Sequence, residues 1–324
     1  MEYRRNLLTR EWVVYGPEII EPESLIAQAQ PRQETADLFP GEETPCPYCP
    51  ESLGESPDIL SIQCNGLPPG GIPQDAVPHT DPWDIKVIAA LRPVFRIETP
   101  LNRHPRRLHD VMEAPGAHEK IILTSVHGQA IWDMTARRLE AGLQVLRHRM
   151  INLYRDPRLG HQYAYMVFGH TAGGLYGHSV LNLTASPFVV PVVRRELDGA
   201  YQWYHMKDRC LFSDLYEEEI VKRDTGKPHG VLLETSNFIA LIPYFSGHPL
   251  EIWILPMDHL GDFTDTPVDR LPELARLLAR IMKTLKNTLG PFPYVLSLMN
   301  QPNAAWGAGR GYWKTLDRDW MWRI

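Results

Sequence analysis

The pattern of apolar and polar positions in the first half of the chain predicts strands around one long helix. The β-branched runs at 83–91 and 118–125 have the length of strands. Between 130 and 154, apolar residues recur every three or four positions, as in an amphipathic helix. The apolar stripe consists of Ile131, Leu139, Leu143, Leu146, Met150 and Leu153. Two further strands are predicted at 162–170 and 178–193, with a glycine-rich turn between them.

The second half repeats this order of elements. Strands are predicted within 229–245 and 250–257. A Thr-Pro pair at 266–267 fits the cap and first position of a helix, and Gly290 is placed to end that helix. The run at 293–299 predicts another strand after it.

The repeated order predicts an α+β fold of two halves, residues 1–195 and 196–324, each an antiparallel sheet with a long helix. The repetition concerns only the order of elements, because the residues themselves do not repeat one by one. Hydrophobic residues make up 44% of the 324 positions, which is enough for a sizeable core.

Charge and hydropathy narrow the range of partners. The formal net charge of -6 gives no overall basic surface for nucleic acid. No apolar run reaches about 18 residues, and the N-terminus lacks the apolar region of a signal peptide, which disfavours membrane insertion and secretion. We therefore expect a cytoplasmic protein that binds small molecules or proteins, and neither nucleic acid nor a membrane.

Two cysteines form the first candidate site. In "PCPYCPE", Cys46 and Cys49 are spaced so that both thiolates can bind one cation. No second CxxC exists, so the other ligands of a tetrahedral zinc would be histidines, and we select His127 and His178. Two other interpretations stay open: a redox pair, which lacks a predicted helix start at Cys46, or two small packing residues.

Six segments in order resemble the galactose-1-phosphate uridylyltransferases of the histidine-triad superfamily. They begin with "RRNLLTREWVVYGPE", "CPYCP" and "WDIKVIAALRPVF". A Gly-x-His-Glu strand in "GAHEKIILTSVH", the stretch "ETSNFIALIPYFSGHPLEIWILPMDH" and the helix after it follow. The resemblance spans nearly the whole chain and implies two fused histidine-triad-like halves. It also implies a possible homodimer that acts on nucleotide sugars or sugar phosphates.

The resemblance also implies a structural zinc. In this family the ion is held by the paired cysteines, by a histidine after the Gly-x-His-Glu strand and by the first histidine of a His-Pro-His-x-Gln motif. These positions correspond to Cys46, Cys49, His127 and His178, and all four residues are present.

The catalytic histidine of the family is missing. The second histidine of that motif attacks the α-phosphorus of a nucleotide sugar, but the matching position in "HSVLN" is Val180. Asn182 stands where the family has a glutamine that supports the phosphate, and Ala90 stands where it has an asparagine that contacts uridine. A valine offers phosphorus no lone pair, so the histidine-dependent covalent route is closed.

A second metal site of some family members is also incomplete. Its glutamate corresponds to Glu196. The positions where its histidines are expected hold Ser297, Met299, Asn300, Met321 and Arg323. Glu196 alone cannot hold a metal ion, so we expect no second metal.

These substitutions predict a zinc-containing relative that is catalytically impaired, or repurposed for binding a ligand or partner. The alternative is an active nucleotidyltransferase or phosphorylase that acts on a nucleotide sugar or sugar phosphate through a non-standard nucleophile. His170 is the candidate nucleophile, although the sequence shows no supporting base. Gly173, Gly174 and Asn182 are the candidate ligand-binding residues, although two glycines between strands also simply permit a turn.

Overall fold

A six-stranded sheet and a three-stranded sheet each organise one unit of the chain. The computed structural model describes residues 2–15, 35–41, 45–53, 58–68, 70–76, 82–305 and 313–324. The six-stranded unit consists of Pro31–Phe188 and Pro267–Ser297, and the three-stranded unit of Met1–Gln30, Val189–Thr266 and Leu298–Ile324. Both units combine segments that are distant in sequence. The division into halves at residue 195 stays a prediction about the repeated order of elements.

The described residues form thirteen strands. They are β1 Glu2–Arg5, β2 Trp12–Tyr15, β3 Asp58–Ile62, β4 Ile85–Ala89, β5 Arg103–Arg106, β6 His109–Met112, β7 Ala117–Ile122, β8 His161–Phe168, β9 Val180–Ser186, β10 Val231–Glu234, β11 Phe238–Leu241, β12 Trp253–Pro256 and β13 Tyr294–Leu298. The large sheet has the order β13-β8-β9-β7-β4-β3, and the small sheet has the order β10-β11-β12. The pairs from β8 to β3 and both pairs of the small sheet are antiparallel.

Five α-helices accompany these strands within the described residues. They are α1 Ala136–Leu153, α2 Pro191–Lys207, α3 Leu211–Asp224, α4 Leu271–Leu289 and α5 Leu316–Asp319. The long α1 begins where Thr135 Oγ1 accepts a hydrogen bond of 3.2 Å from the amide of Arg138. The helices α1 and α4 pack against each other in the six-stranded unit.

Two sequence predictions about helix boundaries were wrong. The predicted strand 178–193 ends at Ser186, and α2 begins at Pro191, since proline at the first helical position needs no amide partner. A 3₁₀ turn at Val268–Arg270 separates the predicted cap at Thr266 from α4, which begins at Leu271. Gly290 does end α4, with a φ of 75°.

The large sheet has one face covered by helix and one face that is less buried. Arg149 of α1 forms two hydrogen bonds of 2.8 Å to Glu119 of β7, which places α1 on the face that Glu119 shares with Ile121. Side chains at the alternate positions point the other way. We call this second side the outer face. It comprises Lys86, Ile88, Ala90, His118, Lys120, Ile122, Tyr163, Tyr165, Val167, Val180, Asn182 and Thr184.

The three-stranded unit has its own apolar core. The core includes Phe212, Ile239, Leu255 and Trp320, each buried to 1% exposure or less. The last residues of the chain are part of this unit, because Ile324 and Ile254 exchange two backbone hydrogen bonds of 2.8 and 3.0 Å.

The predicted α+β class is confirmed, and antiparallel sheets are present in both units. Among the described residues, no helix combines the length and apolar composition that a membrane span needs.

Candidate functional site

The four predicted metal ligands lie together in the six-stranded unit. One side-chain donor atom from each of Cys46, Cys49, His127 and His178 lies within 4.8 Å of the others. The cysteines share a turn in which the amide of Cys49 donates to the carbonyl of Cys46 at 3.3 Å. Both cysteines and His178 are buried, and His127 is exposed. The cluster can therefore hold a metal ion at the edge of the unit.

The distances within this cluster fit a tetrahedral ion. Cys49 Sγ lies 3.5 Å from His127 Nδ1 and 3.9 Å from His178 Nδ1. Cys46 Sγ lies 3.9 Å from His178 Nδ1. Zinc bonds of about 2.3 Å to sulfur and about 2.0 Å to nitrogen at tetrahedral angles place sulfur about 3.6 Å from nitrogen. The donor atoms thus need only small shifts to bind zinc.

A second contact orients His178 for metal binding. Its Nε2 lies 2.7 Å from the carbonyl oxygen of Thr124, so Nε2 carries the proton that this hydrogen bond requires. The lone pair of the neutral ring is then on Nδ1, which faces the cysteines. The segments that carry the two histidines are also joined, because the amide of Gly128 donates to the carbonyl of Gly177 at 2.6 Å.

The substituted catalytic positions lie on the outer face of the sheet. Val180 and Asn182 are there by the alternation of β9, and Ala90 follows β4, where its amide donates to the carbonyl of His118 at 2.8 Å. Residues that the sequence places far apart thus share one surface. Residues that lie opposite one another on neighbouring strands form rows across this surface. The rows through Thr184 and Asn182 contain polar side chains, and the row through Val180 is mainly apolar.

Val180 is part of a small apolar cluster. It is 7% exposed and packs with Leu53, Trp83, Ile88 and Ile122. The position that carries the nucleophile in the resembling family is therefore filled by packing, which a histidine side chain would disturb.

The glycine-rich turn lies between β8 and β9. His170 is exposed and begins a 3₁₀ turn that ends at Ala172. Among the described residues, no side chain forms a hydrogen bond or ion pair with its ring. Gly173 has a φ of 99°, and a Cβ on Gly174 would lie 3.0 Å from the amide nitrogen of Gly169. Both glycines are thus required by the turn itself, and a phosphate-binding role for them stays a prediction.

Sequence reasoning did not identify Lys120, which lies at the centre of the outer face. It is opposite Asn182 and donates a hydrogen bond to Asn182 Oδ1. Burial lowers the pKa of Lys120. No carboxylate among the described residues forms a salt bridge with it. A lysine that precedes the apolar pair Ile121 and Ile122 was the available signal, but its neighbours across the sheet depend on the register.

The residues expected at a second metal site form an ion pair instead. Arg323 donates a hydrogen bond of 2.5 Å to Glu196 Oε2, and the two side chains are only 4% and 9% exposed. The Arg323 guanidinium also lies 4.4 Å from the centre of the Trp253 ring. Met299 is paired with Arg323 through backbone hydrogen bonds of 2.8 and 3.1 Å. The positive charge beside Glu196 therefore comes from the side chain of Arg323 and not from a metal ion.

A separate pocket of about 520 Å³ lies in the three-stranded unit. Its lining includes His259, Asp265, Gln301, Trp313 and Lys314. Burial lowers the pKa of His259, and the nearby Asp317 opposes that shift. None of the sequence-predicted site residues lines this pocket.

Comparisons with known proteins support the resemblance. No family model matches the chain. ADP-glucose phosphorylase of Arabidopsis thaliana is 22% identical over 309 residues, which cover 93% of this chain and 78% of that protein. Galactose-1-phosphate uridylyltransferase of Thermotoga maritima is 23% identical over 305 residues, which cover 93% and 81%.

A solved structure has the same fold. It is that of an ADP-glucose phosphorylase from Arabidopsis thaliana with bound ADP-glucose, and it matches with a TM-score of 0.73 at 20% identity. The match covers 99% of this chain and 87% of that one. In sequence and in fold, the chain is therefore similar to ADP-glucose phosphorylase and to galactose-1-phosphate uridylyltransferase.

Proposed function

We propose that the protein binds a nucleotide sugar or sugar phosphate on the outer face of its six-stranded sheet, without covalent transfer through a histidine. The observation that carries this proposal is the outer face itself. Val180 fills the nucleophile position with apolar packing, while Lys120, Asn182 and Tyr165 keep the next row polar. Such a surface can bind a polar ligand and lacks the histidine that attacks it in the resembling family.

The relatives support this class of ligand. One is named for ADP-glucose, another for galactose-1-phosphate, and a solved structure holds ADP-glucose. Ala90 has no hydrogen-bonding side chain, so this chain would lack the uridine contact that an asparagine makes in the resembling family. A homodimer and a cytoplasmic location stay predictions.

We also propose that Cys46, Cys49, His127 and His178 hold a structural zinc ion. The support is the spacing of their donor atoms and the Thr124 contact that fixes the proton on His178. Four protein ligands leave tetrahedral zinc no open position, so the ion would contribute folding free energy and not catalysis.

A second candidate function is phosphorylase or nucleotidyltransferase activity through another nucleophile. Lys120 supports this second candidate. Burial lowers the pKa of its amine and so increases the fraction of the neutral form, which can act as a nucleophile. His170 favours it less, since its ring has no supporting base among the described residues.

Calorimetric titration and a turnover assay test both candidates. The purified protein is titrated with ADP-glucose, UDP-glucose and glucose 1-phosphate, and each nucleotide sugar is incubated with phosphate while ³¹P NMR follows the products. We expect saturable binding of at least one ligand and no nucleoside diphosphate release. Binding with turnover would replace the first candidate by the second, and the absence of any binding would remove both.

A further inference from the structure

Two side chains on the outer face have hydrogen-bond donors without adequate acceptors. Lys120 donates to the neutral amide of Asn182, and no carboxylate of the described residues compensates its charge. The Nε2 atom of His118 is buried and has no hydrogen-bond partner of normal geometry among the described residues. A buried donor without an acceptor is costly, so both groups favour a ligand that accepts hydrogen bonds.

The state of His118 follows from its second nitrogen. The amide of Val94 donates to His118 Nδ1 at 3.3 Å, so Nδ1 is the acceptor and Nε2 carries the proton of the neutral ring. Burial, and next the charge of Lys120, lower the pKa of His118, while a weak hydrogen-bond contact with Asn182 opposes that shift. The ring is therefore a neutral donor beside a cationic one.

The strand register brings these donors together. His118 and Lys120 are two residues apart on β7, and their side chains share the outer face. Asn182 lies opposite Lys120 on β9, and its amide nitrogen is already engaged with the Tyr165 carbonyl at 3.2 Å. An oxyanion placed between the two donors would satisfy both.

We propose that Lys120, with His118 beside it, binds a phosphoryl group of the ligand. This inference rests on the proposed function. It names the residues that would bind the negatively charged phosphoryl group of the ligand.

Lys283 provides the control for charge. It is exposed on α4, outside the outer face, and belongs to the same unit. Lys120→Met and Lys283→Met remove the same charge. Lys120→Gln keeps a donor for Asn182 without the charge, and it serves as a second variant if Lys120→Met folds poorly. Circular dichroism and melting curves establish that each variant is folded.

The experiment is calorimetric titration of each variant with ADP-glucose, UDP-glucose, inorganic pyrophosphate, adenosine and uridine. We expect Lys120→Met and Lys120→Gln to weaken phosphate-containing ligands about tenfold or more, as for the loss of a charged hydrogen bond. Nucleoside binding should change less than about twofold, and Lys283→Met should leave all affinities within about threefold.

The outcomes separate this inference from the proposed function. If nucleotide sugars bind and the Lys120 variants bind them equally well, or if Lys283→Met weakens them as much, the role of Lys120 is wrong and the proposed function stands. If pyrophosphate binds through Lys120 but no nucleotide sugar binds, the anion site stands and the proposed function fails. If no phosphate compound binds, both are wrong.

Discussion

Each of the two units contains a polar cluster, and the two clusters differ in the source of the positive charge that would neutralise them. In the six-stranded unit, two thiols and two imidazoles converge with donor atoms within 4.8 Å and no cation of the chain among them. In the three-stranded unit, Glu196 meets the guanidinium of Arg323. The first cluster therefore favours binding of a metal cation, whereas in the second the cation is the arginine side chain.

This difference indicates which functions of the resembling family can persist. Arg323 stands where the resemblance implies a metal-binding histidine, and it places a positive charge beside Glu196, so we expect no metal ion there. It also stacks on Trp253, a contact that a metal ion would not make. The cysteine and histidine cluster has no such replacement, and we therefore expect the fold to depend on a metal only in the six-stranded unit.

The largest effect should come from disrupting the cysteine and histidine cluster. Structural zinc binding contributes about 10–16 kcal/mol in small finger peptides. In this larger unit we expect Cys49→Ser to remove one zinc ion per chain and about 5 kcal/mol of the unfolding free energy. Mass spectrometry of the metal content and denaturant unfolding measure the two effects.

Cys64→Ser is the matched control, because Cys64 is buried in the same unit outside the cluster. It should keep the zinc. Wild-type protein without bound zinc, or a melting temperature that a strong chelator does not change, would contradict the metal proposal.

The second largest effect should come from the ion pair. Arg323→Met leaves Glu196 buried without its partner, and breaking a buried pair costs about 3–5 kcal/mol. The double variant Glu196→Gln with Arg323→Met should lose less than the sum of the single variants, because no uncompensated charge remains. Urea unfolding of the three variants gives the coupling free energy.

Arg318→Met is the control for this set of single and double variants. Arg318 is 55% exposed and lies 3.8 Å from Asp317, so its loss should change the unfolding free energy by less than about 1 kcal/mol. Additive single losses at Glu196 and Arg323 would contradict the view that the pair is one unit.

Local patterns in the sequence predicted the parts of the fold that local chemistry determines. The alternation of apolar residues located β8 and β9, and the stripe through Leu139 located α1. Residues 189–193 were misjudged, because a β-branched run favours a strand and Pro191 starts a helix instead. Neighbouring residues alone do not reveal that outcome.

The sites were predictable only where a motif marks them. The spacing of Cys46 and Cys49 and the family motif around His178 led to the cluster. The partner of Glu196 was not foreseeable, since Arg323 is 127 residues away and meets it only through tertiary packing. Lys120 needed the register of β7 against β9, which sets its neighbours and is not encoded in its own strand.

A smaller effect tests whether the nucleophile can be restored. Val180→His inserts a larger polar ring into the cluster of Trp83 and Ile122, which should cost about 1–3 kcal/mol. We expect no covalent nucleotidyl adduct with UDP-glucose or ADP-glucose by intact-mass measurement. Val167→His, a partly exposed position on the same face, should cost less. An adduct on Val180→His would show that the pocket still accepts the family chemistry.

The smallest effect concerns Asp319, a carboxylate in the same unit as Glu196 that has no buried arginine beside it. It is 3% exposed, and burial raises its pKa from 3.8 to about 6, although Thr315 donates to it at 2.5 Å. The folded state thus binds more protons than the unfolded state between pH 4 and 6. The contribution of Asp319 to stability is therefore full below pH 4 and is lost as the pH rises through about 6.

Asp319→Asn should therefore increase the unfolding free energy by about 1–2 kcal/mol at pH 7.5, because the buried charge is removed. The gain should shrink as the pH falls toward 4, where the native carboxyl is already neutral. Asp317→Asn, whose side chain is 79% exposed, is the matched control and should change stability by less than about 0.5 kcal/mol. Denaturant unfolding of both variants at pH 4, 6 and 7.5 measures the trend. A loss of stability at pH 7.5 in Asp319→Asn alone would mean that the charged form, like that of Glu196, is compensated within the fold.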